Sequence, residues 1–463
     1  MVELTEITIG EYIENITDYH ANGAYEKLKE NITLKYEPNY AIMVRTLNFE
    51  ANDFQSKLIY LNEFEYNYLS KSKVRPDDII MNKIASPGSV YIMPNLNQPA
   101  SLAMNLFLIR FDSRLNQRFM YYLMKKNETY IKTFSNGTTT KTITKDAVRG
   151  LRFNVPNLKN QQKIATVLKS LDDKIELNNK INAELEAMAK TLYDYWFVQF
   201  DFPNTDGKPY KSSGGEMVYN EVLKREIPKG WEVTVFNDWV LKTKTGDWGK
   251  EDIEGNYNEH VYCVRGADIN GLNGKGEVKA PARYILKNNL SKALQPNDFI
   301  IEISGGSPIQ STGRIALLTQ LSFARFGSKV ICSNFCKAIS LKDEKYVFNF
   351  LQEWQRLYNA NVFFGFEGKT SGIKNFLYDS FMDTYHIVKP AKDVAEKYYS
   401  YVQSLENKKQ SNLKQNQELA SLRDWLLPML MNGQVTVKDV YERVEEELGM
   451  VAEEEVNYNV KTE

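Results

Sequence analysis

The residues best suited to chemistry lie in two short polar runs. The first, Ser135-Asn136-Gly137-Thr138-Thr139-Thr140-Lys141-Thr142-Ile143-Thr144-Lys145, crowds hydroxyls, two lysines and a glycine together. The second is Gly368-Lys369-Thr370-Ser371-Gly372-Ile373-Lys374. Hydroxyls, ammonium groups and exposed amides are the donors that phosphate oxygens accept from. The second run ends like a nucleotide-binding loop, but such a loop needs an earlier glycine at position 363, which is Phe363, and Gly365 stands two residues too close. A nucleotide site of that kind is excluded, and the phosphates of a nucleic-acid backbone remain. An ordinary polar turn would have the same composition. Thr138, Thr139, Thr140, Lys141 and Lys145 are the candidates in the first run, and Lys369, Thr370, Ser371 and Lys374 in the second. Arg45 and Arg265, each following a strand-like run, and Lys242, Lys244, Lys250 and Arg314 are further candidate DNA contacts.

Catalytic constellations fail one by one. His20, His260 and His386 are far apart, and no cysteine pair has metal-finger spacing, so no metal site is expected. Cys332 and Cys336 sit in a strand-like run and read as small buried hydrophobes. No G-x-S-x-G elbow and no dinucleotide glycine fingerprint occurs. Asp77, Asp78 and Lys83 resemble a nuclease carboxylate cluster. A second copy of that stretch, Pro296-Asn297-Asp298-Phe299-Ile300 for Pro76-Asp77-Asp78-Ile79-Ile80, has no lysine at the matching place. What is duplicated is a turn before a strand.

That duplication sets the architecture. Val44-Arg45 recurs as Val264-Arg265 at the same offset of 220, and further on the offset becomes 234, where Lys180, Asn182, Glu184, Leu185 and Leu192 match Lys414, Asn416, Glu418, Leu419 and Leu426. Each copy combines β-branched strand-like runs with a short helix (116–126 and 346–359) and ends in a long one (160–197 and 393–427). The long helices carry apolar residues at heptad spacing, with a positions 164, 171, 178, 185, 192, d positions 167, 174, 181, 188, 195, and equivalents 234 residues on. The pattern predicts an α+β fold: two similar domains separated by long helices that pair antiparallel within the chain as a coiled coil. Asn178 and Asn412 fall at the same a position, Lys174 and Lys408 at the same d position. A buried Asn there fixes register at a cost in stability, whereas a loosened, solvent-facing centre would also tolerate it. The expected divisions are domain 1 over 1–156, helix 1 over 157–200, a linker over 201–215, domain 2 over 216–390, helix 2 over 391–433 and an acidic tail over 434–463.

The 58 basic and 59 acidic residues balance, but 437–463 holds three basic residues against nine acidic ones, which leaves the rest mildly basic. Three cysteines, no signal-like start and no run of 18 apolar residues point to a cytoplasmic protein with no membrane role. Two similar lobes on a stiff rod suit a long, repetitive partner such as duplex DNA.

The segments Tyr193–Pro203 (YDYWFVQFDFP), GKPYKSSGGEMV and IPKGWEV (Ile227–Val233), with the closing Leu426-Leu427-Pro428-Met429-Leu430-Met431-Asn432-Gly433, resemble the conserved regions of specificity subunits of type I restriction-modification systems. The resemblance covers nearly the whole chain. It implies a non-catalytic DNA reader with one target-recognition domain per half of a two-part asymmetric sequence and helices that set the interval. Two methyltransferase subunits and the restriction/translocase subunits would dock on it, and S-adenosylmethionine, ATP and Mg would be bound by those partners, with no cofactor on this chain. A single-chain methyltransferase or nuclease with degenerate motifs, and a coiled-coil assembly protein, are the competing classes.

Overall fold

The computed structural model describes residues 3–138, 140–305, 307, 310–370, 373–432 and 434. The acidic tail therefore lies outside the described residues, apart from Gln434. The chain divides into two compact units, one built on Met1–Asp173 with the segment from Leu419, the other on Lys174–Glu418. Each long helix contributes residues to both units.

In the first unit, the duplicated turn feeds Ile79–Asn82, whose Ile79, Ile80 and Met81 are fully buried. This strand is inner in an antiparallel sheet of order Ile13–Asp18, Leu106–Phe111, Ile79–Asn82, Val90–Ile92. A second sheet pairs Ala41–Val44 parallel with Ala100–Leu102. In the second unit, the strand Asp298–Glu302 occupies the same place in the order Val240–Thr245, Cys336–Leu341, Asp298–Glu302, Ile315–Leu318. Its second sheet again contains one parallel pair, Tyr257–Val264 with Lys329–Cys332. The short antiparallel pairs Thr5–Thr8 with Arg152–Val155, and Glu232–Val235 with His386–Lys389, close the two domains alike. The two four-stranded sheets share one strand order, while the second sheets have four strands in one domain and three in the other.

The turn itself has one cause in both copies. Asp77 and Asn297 adopt left-handed backbone conformations (φ 68 and 71°), which Asp and Asn tolerate better than most residues. The next residue locks the turn, Asp78 Oδ2 accepting from Arg75 N at 2.6 Å and Asp298 Oδ2 from Gln295 N at 2.8 Å.

The long helices are Leu158–Tyr193, continued by a π-helical turn Asp194–Val198, and Lys392–Met431. At about 1.5 Å per residue they run roughly 54 and 60 Å. Within the second unit they pair antiparallel. Asn178 Nδ2 donates to Asn416 Oδ1 at 2.9 Å, and Asn412 Nδ2 to Asn182 Oδ1 at 2.9 Å. Because 412 and 416 are the 234-residue equivalents of 178 and 182, this is one contact made twice about a local twofold. Within the first unit, Arg423 Nη1 meets Asp172 Oδ1 at 2.8 Å, and Tyr122 OH donates to the other oxygen of Asp172 at 2.5 Å, fastening the helix Gln117–Lys126 to the pair.

The seam corrects the expected heptad. The expected d row holds only in part: Val167 and Gln415 are buried, but Met188 is 56% and Tyr195 38% exposed, and the +4 residues Leu168, Asn182, Ala189 and Trp196 are buried in addition. In the second helix Val402 is buried and Tyr401 is 60% exposed. Residues +3 and +4 lie about 60° to one side and 40° to the other of a given residue, so spacing alone does not say which row faces the partner. Lys174 and Lys408 consequently flank the seam, half-buried. Lys409 takes the buried place, held by Glu186 at 2.8 Å and Glu406 at 3.7 Å.

The segment 201–215, expected as a linker, is folded. Phe202 stacks between Tyr210 and Trp231 (4.6 and 4.9 Å between centroids), Phe197 packs edge-on to Tyr398 at 4.9 Å, and Asp201 accepts from Ser212 N and Oγ at 2.7 and 2.6 Å. The WF-x-x-F-D-F-P pattern is thus an aromatic core that anchors the end of the first long helix to the start of the second.

Candidate nucleic-acid interface

In each domain the same three backbone hydrogen bonds gather four chain segments at one end of the sheets. In the first unit Ala103 N donates to Val44 O (2.9 Å), Lys83 N to Asn105 O (2.9 Å) and Ile143 N to Lys83 O (3.0 Å). In the second unit Ser333 N donates to Val264 O (2.8 Å), Ile303 N to Phe335 O (2.9 Å) and Phe376 N to Ile303 O (2.8 Å). The strand end carrying Arg45 or Arg265, the segment after the buried central strand, a three-residue connection, and the polar run of the sequence therefore meet in both.

The polar runs themselves form equivalent hairpins. Asn136 bridges Thr142, which also bridges Ile84. Correspondingly, Glu367–Thr370 pairs with Ile373–Phe376, which pairs with Ser304–Gly305. Thr138, Thr140 and Lys141 are exposed at the first tip. Lys369 and Thr370 lie on the strand Glu367–Thr370, while Thr139 and Ser371 lie outside the described residues. Lys374 is drawn to Glu367 at 2.9 Å, its ammonium lying 4.7 Å from the centre of the Phe364 ring.

The cations differ sharply in what they are free to do. Lys145 and Lys83 share one carboxylate, donating to Asp18 Oδ1 at 3.0 Å and Oδ2 at 2.7 Å. Burial pushes the Asp18 carboxyl up, but the hydrogen bonds from Lys83 and Lys145 outweigh it and hold the group below its ordinary range. Arg45 and Arg265 do the same structural job twice: Nη2 donates to Lys57 O in one and to Lys279 O in the other, both at 2.7 Å, tying a following loop to the strand end. Arg265 also meets Asp268 at 2.9 Å, which raises its pKa.

Two sequence candidates need correction. Lys244 is buried, donating to Asp298 Oδ2 at 2.6 Å and Ala293 O at 2.9 Å, so its charge is neutralised inside the sheet and not offered at the surface. Arg314 forms a fork with Glu302 (2.6 and 2.9 Å), and that hydrogen bonding raises its pKa; with the pair almost wholly enclosed, it braces the strand end instead of facing solvent. Lys242 is exposed, and Lys250 is exposed beside the strand Ala282–Leu286, paired with Glu254 at 3.3 Å. Neither takes part in the hydrogen-bonded convergence. The three-residue connections were missed in the sequence because they lie where the repeat offset is 230, between the recognised offsets of 220 and 234.

Among the described residues no three of His, Cys, Asp and Glu are grouped to hold a metal ion, and no helix is long and apolar enough to cross a membrane.

Residues 16–187 match the family model described as the type I restriction modification DNA specificity domain. The type I restriction enzyme MjaIX specificity subunit of Methanocaldococcus jannaschii is 29% identical over 328 residues, covering 70% of this chain and 70% of that one. The HindI specificity subunit of Haemophilus influenzae is 24% identical over 421 residues, covering 79% and 88%. Among solved structures, the S subunit of a type I restriction-modification system from M. genitalium aligns with a TM-score of 0.48 at 16% identity over 93% of this chain and 96% of that one.

Proposed function

We propose that this chain, whose residues 16–187 match the type I restriction modification DNA specificity domain and which resembles two type I specificity subunits, reads a two-part DNA sequence, one domain per half-site. The observation that carries this reading is the duplicated convergence: one set of backbone hydrogen bonds brings a hydroxyl- and lysine-bearing hairpin to the same sheet end in each domain. Thr138, Thr140 and Lys141 would meet phosphates, with Lys374 held back by Glu367 to brace the second hairpin. The length of the paired helices sets the interval between half-sites.

The chain is non-catalytic in this reading and works in the cytoplasm. Two methyltransferase subunits and the restriction/translocase subunits dock on it and supply S-adenosylmethionine and ATP chemistry. The exposed Met188, Tyr195 and Tyr401 on the helix pair are apolar surface of the kind a subunit interface covers, and they favour a docked partner over a free rod.

The test is duplex binding by the full chain with its methyltransferase partner across a salt series. Affinity falling linearly on a log–log plot, with a sequence preference surviving at high salt, is expected. Cleavage or methyl transfer by the chain alone would overturn the non-catalytic assignment.

A further inference from the structure

The three-residue connections at the convergent ends, Ala103-Met104-Asn105 and Ser333-Asn334-Phe335, have the geometry of a fixed probe. Each joins a strand of one sheet to a strand of the other, Ala100–Leu102 to Leu106–Phe111 and Lys329–Cys332 to Cys336–Leu341. Each is pinned at its first residue by the N–H donating to Val44 or Val264, and at its last by the carbonyl accepting from Lys83 or Ile303. In the second domain Phe335 O takes a further bond from Ser304 N at 3.2 Å. Gly246 lies against the same connection: a Cβ there would come within 1.9 Å of Ser333 O, so no other residue fits.

A backbone held this firmly nevertheless points its last two side chains outward. Met104 is 47% and Phe335 56% exposed, and Asn105 and Asn334 are exposed with no hydrogen-bond partner for either amide among the described residues. Each tip thus offers one Asn and one large apolar side chain, in opposite order. An Asn amide matches the N6 and N7 edge of adenine, and an apolar group matches the thymine methyl, both in the major groove. The phosphate-binding hairpin runs two strand spacings away, about 10 Å, on the far side of the Lys83 or Ile303 segment.

We propose that these tips are base-reading elements for A·T pairs, Asn105 and Asn334 contacting adenine and Met104 and Phe335 a thymine methyl, one tip per half-site. The assignment rests on the DNA-reading function proposed above and adds the residues and the base chemistry. Side-chain order at the tip, Met-Asn in one domain and Asn-Phe in the other, would make the two half-sites differ.

The full chain in complex with its methyltransferase partner is used to select from a randomised duplex pool, with selected duplexes sequenced and melting curves recorded for each variant. Asn105→Ala relaxes one adenine position in one half-site, and Phe335→Ala relaxes one thymine position in the other, by about tenfold to a hundredfold, with the remaining positions intact. Phe335→Leu keeps its thymine. Asn105→Asp, of the same shape, shifts the preference from adenine toward cytosine and gives the answer if the alanine variant does not fold. An unaltered motif in folded variants, or relaxation at a G·C position, overturns the tip assignment alone. A parent complex that enriches no sequence overturns the DNA-reading function itself.

Discussion

Whether a lysine reaches DNA or holds its own domain together is decided by what surrounds its ammonium group. Lys244 and Lys141 are alike in sequence and opposite in setting. Lys244→Ala strands Asp298, only 1% exposed, without its cation, so a loss of about 3–5 kcal/mol is expected, read as a large drop in melting temperature. Lys141→Ala leaves melting unchanged but reduces the slope of log affinity against log salt by about one. Asp18 gives a pH prediction with a definite sign. Its folded carboxyl titrates below the unfolded value of about 3.9, so its contribution is present above that pH and disappears as pH falls through the folded pKa. Melting of Asp18→Asn should therefore lie well below the parent at pH 7 and converge with it as the pH falls below the ordinary carboxylate range; a gap that persists in strong acid would contradict the Lys83–Asp18–Lys145 account. None of this could be read from the sequence, because Lys83, Lys145, Lys244 and Arg314 find partners up to 127 residues away.

At the scale of elements, periodicity showed more than the contacts did. The strand runs and both long helices were legible because alternation and 3-4 spacing are local, and the Asp78 and Asp298 turns because a short motif repeats. The seam face was not, since two rows compete and only packing chooses between them. Phe202 and Tyr210 in the supposed linker were equally opaque: Gly, Pro and Ser around them signal turns whether or not the turns pack. The asparagine contacts permit a sharp test. Asn412→Leu leaves the buried Asn182 amide without its hydrogen-bond partner among the described residues and should cost about 1–3 kcal/mol. Adding Asn182→Leu, so that both sides become apolar, should recover most of that stability while weakening the preference for a single helix register. A double variant no more stable than the single one would show that the pair does not act as a unit.

For the whole molecule, the proposal is that two domains sharing one central sheet order read two independent half-sites while the helices set the interval. Four residues inserted after Asn178, with four compensating residues before Asn416 so that the seam keeps its register, should lengthen the preferred interval by a helical turn's worth of spacing and leave both half-sequences intact. The most direct measurement exchanges residues 1–156 for those of a relative with a different target and sequences the DNA selected by the assembled complex. The account predicts a hybrid motif in which one half-site takes the relative's sequence while the other half-site and the interval stay as they were. Changes in both half-sites, or in neither, would contradict it.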